Sequence, residues 1–394
     1  MAATRYSGTY TFPAIERVVF GRPAAEVVSE EVRRLGVERV FILASATLVA
    51  KTDIVARIEA SLGAVQALVW SGIGAHTPRE DVLAATAAAR RFDAQLIVAV
   101  GGGSITDAAK GVQLFLANDV TEAGQIDPLR KRPEEAMTAA RPGMAPPRVR
   151  VIAVPTTLAG AEFTPYAGIT DTQRRAKEVF THPLLAPAVV VLDPAVSVHT
   201  PEPLWLSTGV RALDHAVEDI CSIDAQPFSE GTALQAIRLL ARALPATRRD
   251  PTDLQARLDA QMAMWLSSVG PQAGVNMGAS HAIGHALGGT AGVPHGFTSC
   301  ITMPHVMRFN EPITREQSRL IAAALGDSAV PAADQVAALI AGLGLPCTLG
   351  DVGGLTDVQL EAVAQAAMAD PWIKTNPRPI VGASEVRDLL NAAR

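Results

Sequence analysis

A chain of 394 residues, 48% of them hydrophobic, has length for about two domains and a large buried core. Its net charge of -5 without a long basic run argues against nucleic-acid binding, and no stretch reaches the roughly 18 uninterrupted apolar residues of a membrane span. The opening MAATRYSGTYTFPAIERVVFG lacks a signal-peptide core, so a cytoplasmic location is expected, with Cys221, Cys300 and Cys347 as reduced, mostly buried thiols.

The first half alternates short Val- and Ile-rich runs with helical segments. VFILA (40–44), VQALVW (65–70), QLIVAV (95–100), VRVIAV (149–154) and AVVVL (188–192) are expected strands, with helices over EDVLAATAAARRF and TDAAKGVQLFLAN. This order predicts an α/β fold, a parallel sheet flanked by helices. The polar, proline-rich stretch from Asp119 to Pro147 reads as a long surface loop. After VLDPAV the strand pattern stops, and amphipathic helices such as LWLSTGVRALDHAVEDI and AADQVAALIAGLGL follow. The expected division is a Rossmann-like nucleotide-binding domain over 1–194 and an all-helical substrate and catalytic domain over 195–394, with no internal repeat.

LIVAVGGGSITDAAKGV runs from a buried strand through Gly101, Gly102, Gly103 and Ser104 into a helix. Glycines let a pyrophosphate approach the backbone, and free N–H groups with the helix dipole favour its charge. The pattern departs from G-x-G-x-x-G, and a tight strand-to-helix turn is the alternative. Thr106 is placed to cap the helix. Asp107 and Lys110 lie three apart on one face, as site residues or as a surface ion pair. After an earlier strand, FILASATL offers Ser45 and Thr47 in place of an acid; nothing there repels a 2′-phosphate, so NAD(H) and NADP(H) both remain open. A later strand ends in VPTTLAGAEFTPYAGIT, where Thr156 and Thr157 leave the carboxyl edge of the sheet as donors to a nucleotide or as ordinary loop hydroxyls.

In the second half, Leu206, Val210, Leu213, Val217 and Ile220 form a core stripe. Arg211, His215 and Glu218 take the opposite side, as a solvated face or a site. In GASHAIGHALGGTAGVPHG (278–296) His281 and His285 share a face, and Gly288 and Gly289 are expected to end the helix. His295 is able to approach from the following loop. Such histidines suit a metal, a proton relay, or a hydrogen-bonded structural role. TSCITMPHV and MAMWLSSVGPQAGVNMG are expected to contribute to a pocket, with Trp265 and Asn276 as candidates and core packing as the alternative for the tryptophan.

Taken together, VVFG, GGGS, PTTLAGAEFTPYAGIT, VVVLDP, STGVRALDHAVE, HAIGHALGGTAGVPHG and MPHVMRFN resemble the iron-containing alcohol dehydrogenase superfamily over nearly the whole chain. Within it the compact PTTLAGAEFTP most resembles maleylacetate reductases. The resemblance implies the dehydroquinate synthase-like fold of that superfamily, NAD(P)-dependent oxidoreductase activity, a homodimer, and a place in aromatic-compound catabolism. It also implies Thr164 and Lys177 as cofactor contacts.

Metal-dependent relatives carry an aspartate in D-A-L-x-H, together with three histidines matched here by His215, His281 and His295. This sequence reads RALDH, so Arg211 stands in the aspartate's place. A guanidinium stays charged and offers no lone pair, and Asp214 points roughly 60° away from Arg211 around the helix. Maleylacetate reductases, by the resemblance, reduce a carbon–carbon double bond of an oxo-dicarboxylate without metal. The expectation is therefore a metal-independent reductase of a small oxo-acid or activated alkene. In it Arg211 supplies charge, and His285 or His281 delivers or relays the proton. The alternatives are a metal-dependent (Fe or Zn) alcohol dehydrogenase or aldehyde reductase, a dehydroquinate-synthase-like lyase, and a non-enzymatic NAD-binding protein.

Overall fold

The computed structural model describes residues 9–132, 135, 143–174 and 176–394. They divide into two compact units, one of residues 11–200 and one dominated by residues 201–394.

Among its described residues the first unit holds eight strands: β1 (Arg17–Phe20), β2 (Arg39–Ala44), β3 (Gln66–Trp70), β4 (Leu96–Gly101), β5 (Arg150–Pro155), β6 (Tyr166–Asp171), β7 (Ala176–Thr181) and β8 (Val189–Leu192). Six form a sheet in the order β1-β8-β5-β4-β2-β3, every pair parallel. The inner strands read as unbroken apolar runs because both faces are covered. Phe41, Leu43, Ile97, Ala99 and Val151 enter one core with Phe115 and Phe180. The alternate residues Val40, Ile42, Val98, Val100, Ile152 and Val154 enter the other.

The chain goes outward from β2 to β3 and then returns to β4 on the far side of β2. The strand order therefore reverses between β2 and β4, and the carboxyl ends at such a reversal open a crevice that binds ligands. Ser45 follows β2 there, with its N–H donating to Val100 O at 3.1 Å, and Gly101 to Gly103 follow β4.

Several expectations change. β1 and the antiparallel hairpin β6–β7 lie outside the expected strands; AKEVFT in β7 is short and interrupted by the charged Lys177 and Glu178, so it carries little strand signal. The stretch 119–147 is not wholly a surface loop. Residues 133, 134 and 136–142 lie outside the described residues, but Val120 and Ile126 are buried in the first core, and Arg79 donates to Asp127 Oδ1 at 2.7 Å. The first unit also runs to Thr200 rather than 194. Val196 of the Pro194–Ser197 helix packs into the second core, and Thr200 Oγ1 donates to Thr156 O at 2.6 Å.

Among its described residues the second unit is helical, and four segments position the site: the helices Glu202–Cys221, Ala279–Ala291 and His295–Asn310, and the 3-10 turn Pro371–Thr375. The Ala279–Ala291 helix continues through Gly288 and Gly289 and stops at Gly292, whose φ of 70° is the left-handed conformation a helix end uses. Of the thiols only Cys300 is buried; Cys221 and Cys347, in the last residue of a helix and in a loop, are half-buried. No helix among the described residues is long and apolar enough to cross a membrane.

Candidate active site

In the first unit Gly102 caps the Gly103–Ala117 helix. A Cβ on Gly101 would lie 2.6 Å from Ile105 Cγ1, and one on Gly102 would lie 3.0 Å from Thr157 Cγ2. Only glycine leaves this strand-to-helix turn in contact with its surroundings and its amides open. A fifteen-residue helix begins there, so the cradle fits a pyrophosphate. Thr156 N–H donates to Gly101 O at 3.1 Å, which joins the PTT turn to the glycines. Ser104 Oγ accepts from His76 N–H at 3.2 Å.

Thr106 lies within this helix instead of capping it. Lys110 is fully buried and forms no surface pair with Asp107. Its ammonium donates to Ala161 O at 2.5 Å, Thr164 Oγ1 at 3.0 Å and Tyr166 O at 2.8 Å, and burial pulls it down to about 8. It pins the AGAEFTP segment to the helix, with Thr164 in the bond network. Lys177, from β7, stands 3.9 Å from Asp107 Oδ2. After β2, Ser45 accepts from Leu48 N–H at 3.3 Å and caps a short helix; Thr47 lies inside that helix.

The Glu202–Cys221 helix has no solvated face at its middle. Arg211, Asp214 and Glu218 are buried along with the apolar stripe. Arg211 Nη1 donates to Ser299 Oγ at 3.2 Å. Asp214 accepts from Ser280 Oγ at 2.9 Å. Glu218 accepts from the N–H groups of Gly278 at 2.8 Å and Ser280 at 2.7 Å, satisfying the open start of the Ala279–Ala291 helix. Burial raises both carboxyls above their ordinary range, and each feels the other's charge or Arg211.

Four imidazoles line up across the helices. His215 stacks on His281 with centroids 4.8 Å apart, His281 meets His285 edge-on at 6.5 Å, and His285 stacks on His295 at 5.8 Å. Trp372 closes against His281 at 5.8 Å and His285 at 5.2 Å. His281 Nδ1 lies 2.7 Å from Glu218 Oε2, and His285 Nδ1 lies 2.9 Å from Asp370 Oδ2. His215 Nδ1 and His281 Nε2 are buried with no protein partner. Burial, then neighbouring positive charge including Arg211, holds both rings well below the usual imidazole value, so they are neutral.

The histidines of the metal-dependent pattern are not gathered into one ligand cluster. Among the described residues, the triads whose donor atoms lie within 4.8 Å of one another are Asp214–Glu218–His281 and Asp127–Asp171–Glu178; His215, His281 and His295 form no such triad. In the first, Glu218 and Asp214 already accept the bonds above. The second surrounds the Arg79 guanidinium, which pairs with all three acids. Arg211 adds positive charge that acts on Asp214 and His281.

Asn276 donates to Asp224 Oδ2 at 2.8 Å, and Trp265 is half-buried. Trp372 touches the histidine row. Asp370 and Trp372 also went unmarked, because the sequence around DPWIKT gives no periodic or motif signal.

A dinucleotide cradle serves hydride transfer and clustered imidazoles serve proton transfer, so a chain carrying both is of the nicotinamide-dependent oxidoreductase class. Residues 15–194 match the model of iron-containing alcohol dehydrogenase, and residues 205–394 match the C-terminal model of the Fe-containing alcohol dehydrogenase family. The chain belongs to the iron-containing alcohol dehydrogenase family and is an NAD(P)-dependent oxidoreductase. It is 36% identical to dehydrogenase ALT3 of Alternaria alternata, covering 90% of this chain and 99% of that one. It is 34% identical to maleylacetate reductase 1 of Rhodococcus opacus, covering 96% and 94%. The crystal structure of maleylacetate reductase from Agrobacterium tumefaciens superposes with a TM-score of 0.82 at 28% identity, covering 99% of this chain and 98% of that chain.

Proposed function

We propose that this chain is a reductase of the maleylacetate reductase kind, acting on a small oxo-acid or activated alkene without a metal ion. The observation that carries the reading is Arg211, a buried guanidinium tied to Ser299 at 3.2 Å; by the resemblance of its motif it stands where metal-dependent relatives carry an aspartate.

The reduced nicotinamide supplies the hydride when bound. The backbone of Gly101 to Ser104 holds the pyrophosphate, with Thr156, Thr157 and Thr164 shaping the adjoining loop and Lys177 and Asp107 flanking it. Arg211 attracts a substrate carboxylate and stabilises the enolate that forms on hydride addition; a preorganised charge of this type is worth about 10²–10³ in rate. His285 delivers the proton. Its side chain is 37% exposed, so it reprotonates from solvent, while Asp370 orients its ring.

The two partnerless imidazole nitrogens, His215 Nδ1 and His281 Nε2, favour a second reading, a metal-dependent alcohol dehydrogenase. One experiment separates the two: NAD(P)H oxidation followed against oxo-acids, enones and aldehydes, with elemental analysis and chelation of the purified protein. Turnover of an oxo-acid or enone that survives chelation supports the proposal. Stoichiometric metal required for turnover rejects it. Substrate conversion without net NAD(P)H oxidation points to a dehydroquinate-synthase-like lyase instead, and no turnover across the panel points to a non-enzymatic NAD-binding protein. In line with the family, we propose a homodimer.

A further inference from the structure

The geometry points to Glu218 as a positioning residue that fixes His281 in one tautomer and makes it a hydrogen-bond acceptor in the site, not a proton donor. Glu218 faces three nitrogens. Two are backbone N–H groups, Gly278 at 2.8 Å on Oε2 and Ser280 at 2.7 Å on Oε1, and a backbone amide only donates. Both carboxylate oxygens are thereby committed as acceptors. The third nitrogen, His281 Nδ1, lies 2.7 Å from the same Oε2; against the ionised carboxylate, the form that the two amide donors favour, it carries the hydrogen.

A neutral imidazole holds one ring hydrogen. With that hydrogen on Nδ1, Nε2 is left with a bare lone pair. It is buried, has no protein partner, and lies in a ring flanked by His215, Trp372 and His285. What meets Nε2 must bring its own hydrogen: a hydroxyl or enol oxygen of the substrate, held beside the guanidinium that takes its carboxylate. Proton delivery then belongs to His285. This last point rests on the reductase reading; the tautomer does not.

The test is long-range nitrogen–proton NMR on the purified protein labelled with 15N-histidine, with His281→Asn assigning the resonances. The expected result is a protonated Nδ1 and a bare Nε2. Glycolate, a carboxylate with a hydroxyl, should shift the Nε2 resonance, whereas acetate should not. In Glu218→Gln the amide cannot accept from both backbone donors and the ring at once, so the tautomer should change. kcat should then fall about tenfold or more with KM for NAD(P)H unchanged, as expected when an imidazole loses the acceptor that orients it.

Asn376→Ala separates positioning from mere capping. Asn376 Oδ1 accepts from Ala279 N–H at 3.1 Å at the same helix start without touching His281, so its loss should lower the melting temperature and leave the tautomer alone. A hydrogen on Nε2 in the wild type, an unchanged tautomer in Glu218→Gln, or no response to glycolate overturns the proposal. An equal tautomer change in Asn376→Ala also overturns it. If no oxo-acid or enone is reduced but the tautomer is as stated, the reading of the function falls and this assignment stands.

Discussion

Asp370 Oδ2 lies 2.9 Å from His285 Nδ1, a pair separated by 85 positions in the sequence. The other oxygen of Asp370 accepts from Trp372 N–H at 2.9 Å, so one carboxylate both starts the turn that carries the tryptophan and orients the imidazole tilted against it. Asp370→Asn keeps the turn's acceptor and the side-chain volume but weakens the hold on the ring. We expect kcat to drop by about 10²-fold, the lower range for a general acid. The melting temperature should change little, and steady-state kinetics with thermal unfolding check both.

Arg211→Asp introduces the acidic residue of the metal-dependent pattern near two imidazole nitrogens that have no protein partner. The variant should bind a divalent ion that the parent does not retain and should lose metal-free turnover by about 10²-fold or more. Elemental analysis after desalting, with activity in chelator, measures both; equal metal content in the two proteins would count against the electrostatic role of the guanidinium.

Lys110→Met keeps the buried volume and removes all three donors. Ala161 O and Tyr166 O, to which Lys110 now donates at 2.5 and 2.8 Å, would lose a buried charged partner, so we expect a loss of about 1–3 kcal/mol in urea unfolding. Loosening the Thr164 segment should also raise KM for NAD(P)H, by up to about tenfold, the equivalent of ~1.4 kcal/mol.

Glu162 gives a pH signature. Burial pushes its carboxyl from 4.5 up to about 7, and its Oε1 has no partner. The folded state therefore binds this proton more tightly than the unfolded state. Its contribution is fully present below about 4.5 and is lost as pH rises through about 7. Glu162→Gln lacks this loss, so its stability relative to the wild type should climb between pH 4.5 and 7, by about 1–3 kcal/mol. Denaturation midpoints at several pH values decide it; a difference that is flat with pH would contradict the assignment.

Much of the first unit was legible because each strand reports itself locally. The runs at 40–44, 95–100 and 149–154 are Val- and Ile-rich and buried on both faces, and the glycines at 101 to 103 mark where the chain must turn tightly. β7 escaped notice because Lys177 and Glu178 break its apolar pattern. In the second unit the apolar stripe from Leu206 to Ile220 is a true core face. The same periodicity could not tell that the side bearing Arg211 and Glu218 is buried too, since that depends on which helices pack against it.

By itself the sequence determined the alternation of strands and helices and the glycine-rich turn, because spacing and residue type act over one or two turns of chain. Only the tertiary structure decided which carboxylate serves which imidazole. Glu218 meets His281 across 63 positions and Asp370 meets His285 across 85. A hydrogen bond needs its two atoms within about 3 Å, and helix packing, which no local pattern encodes, brings them there.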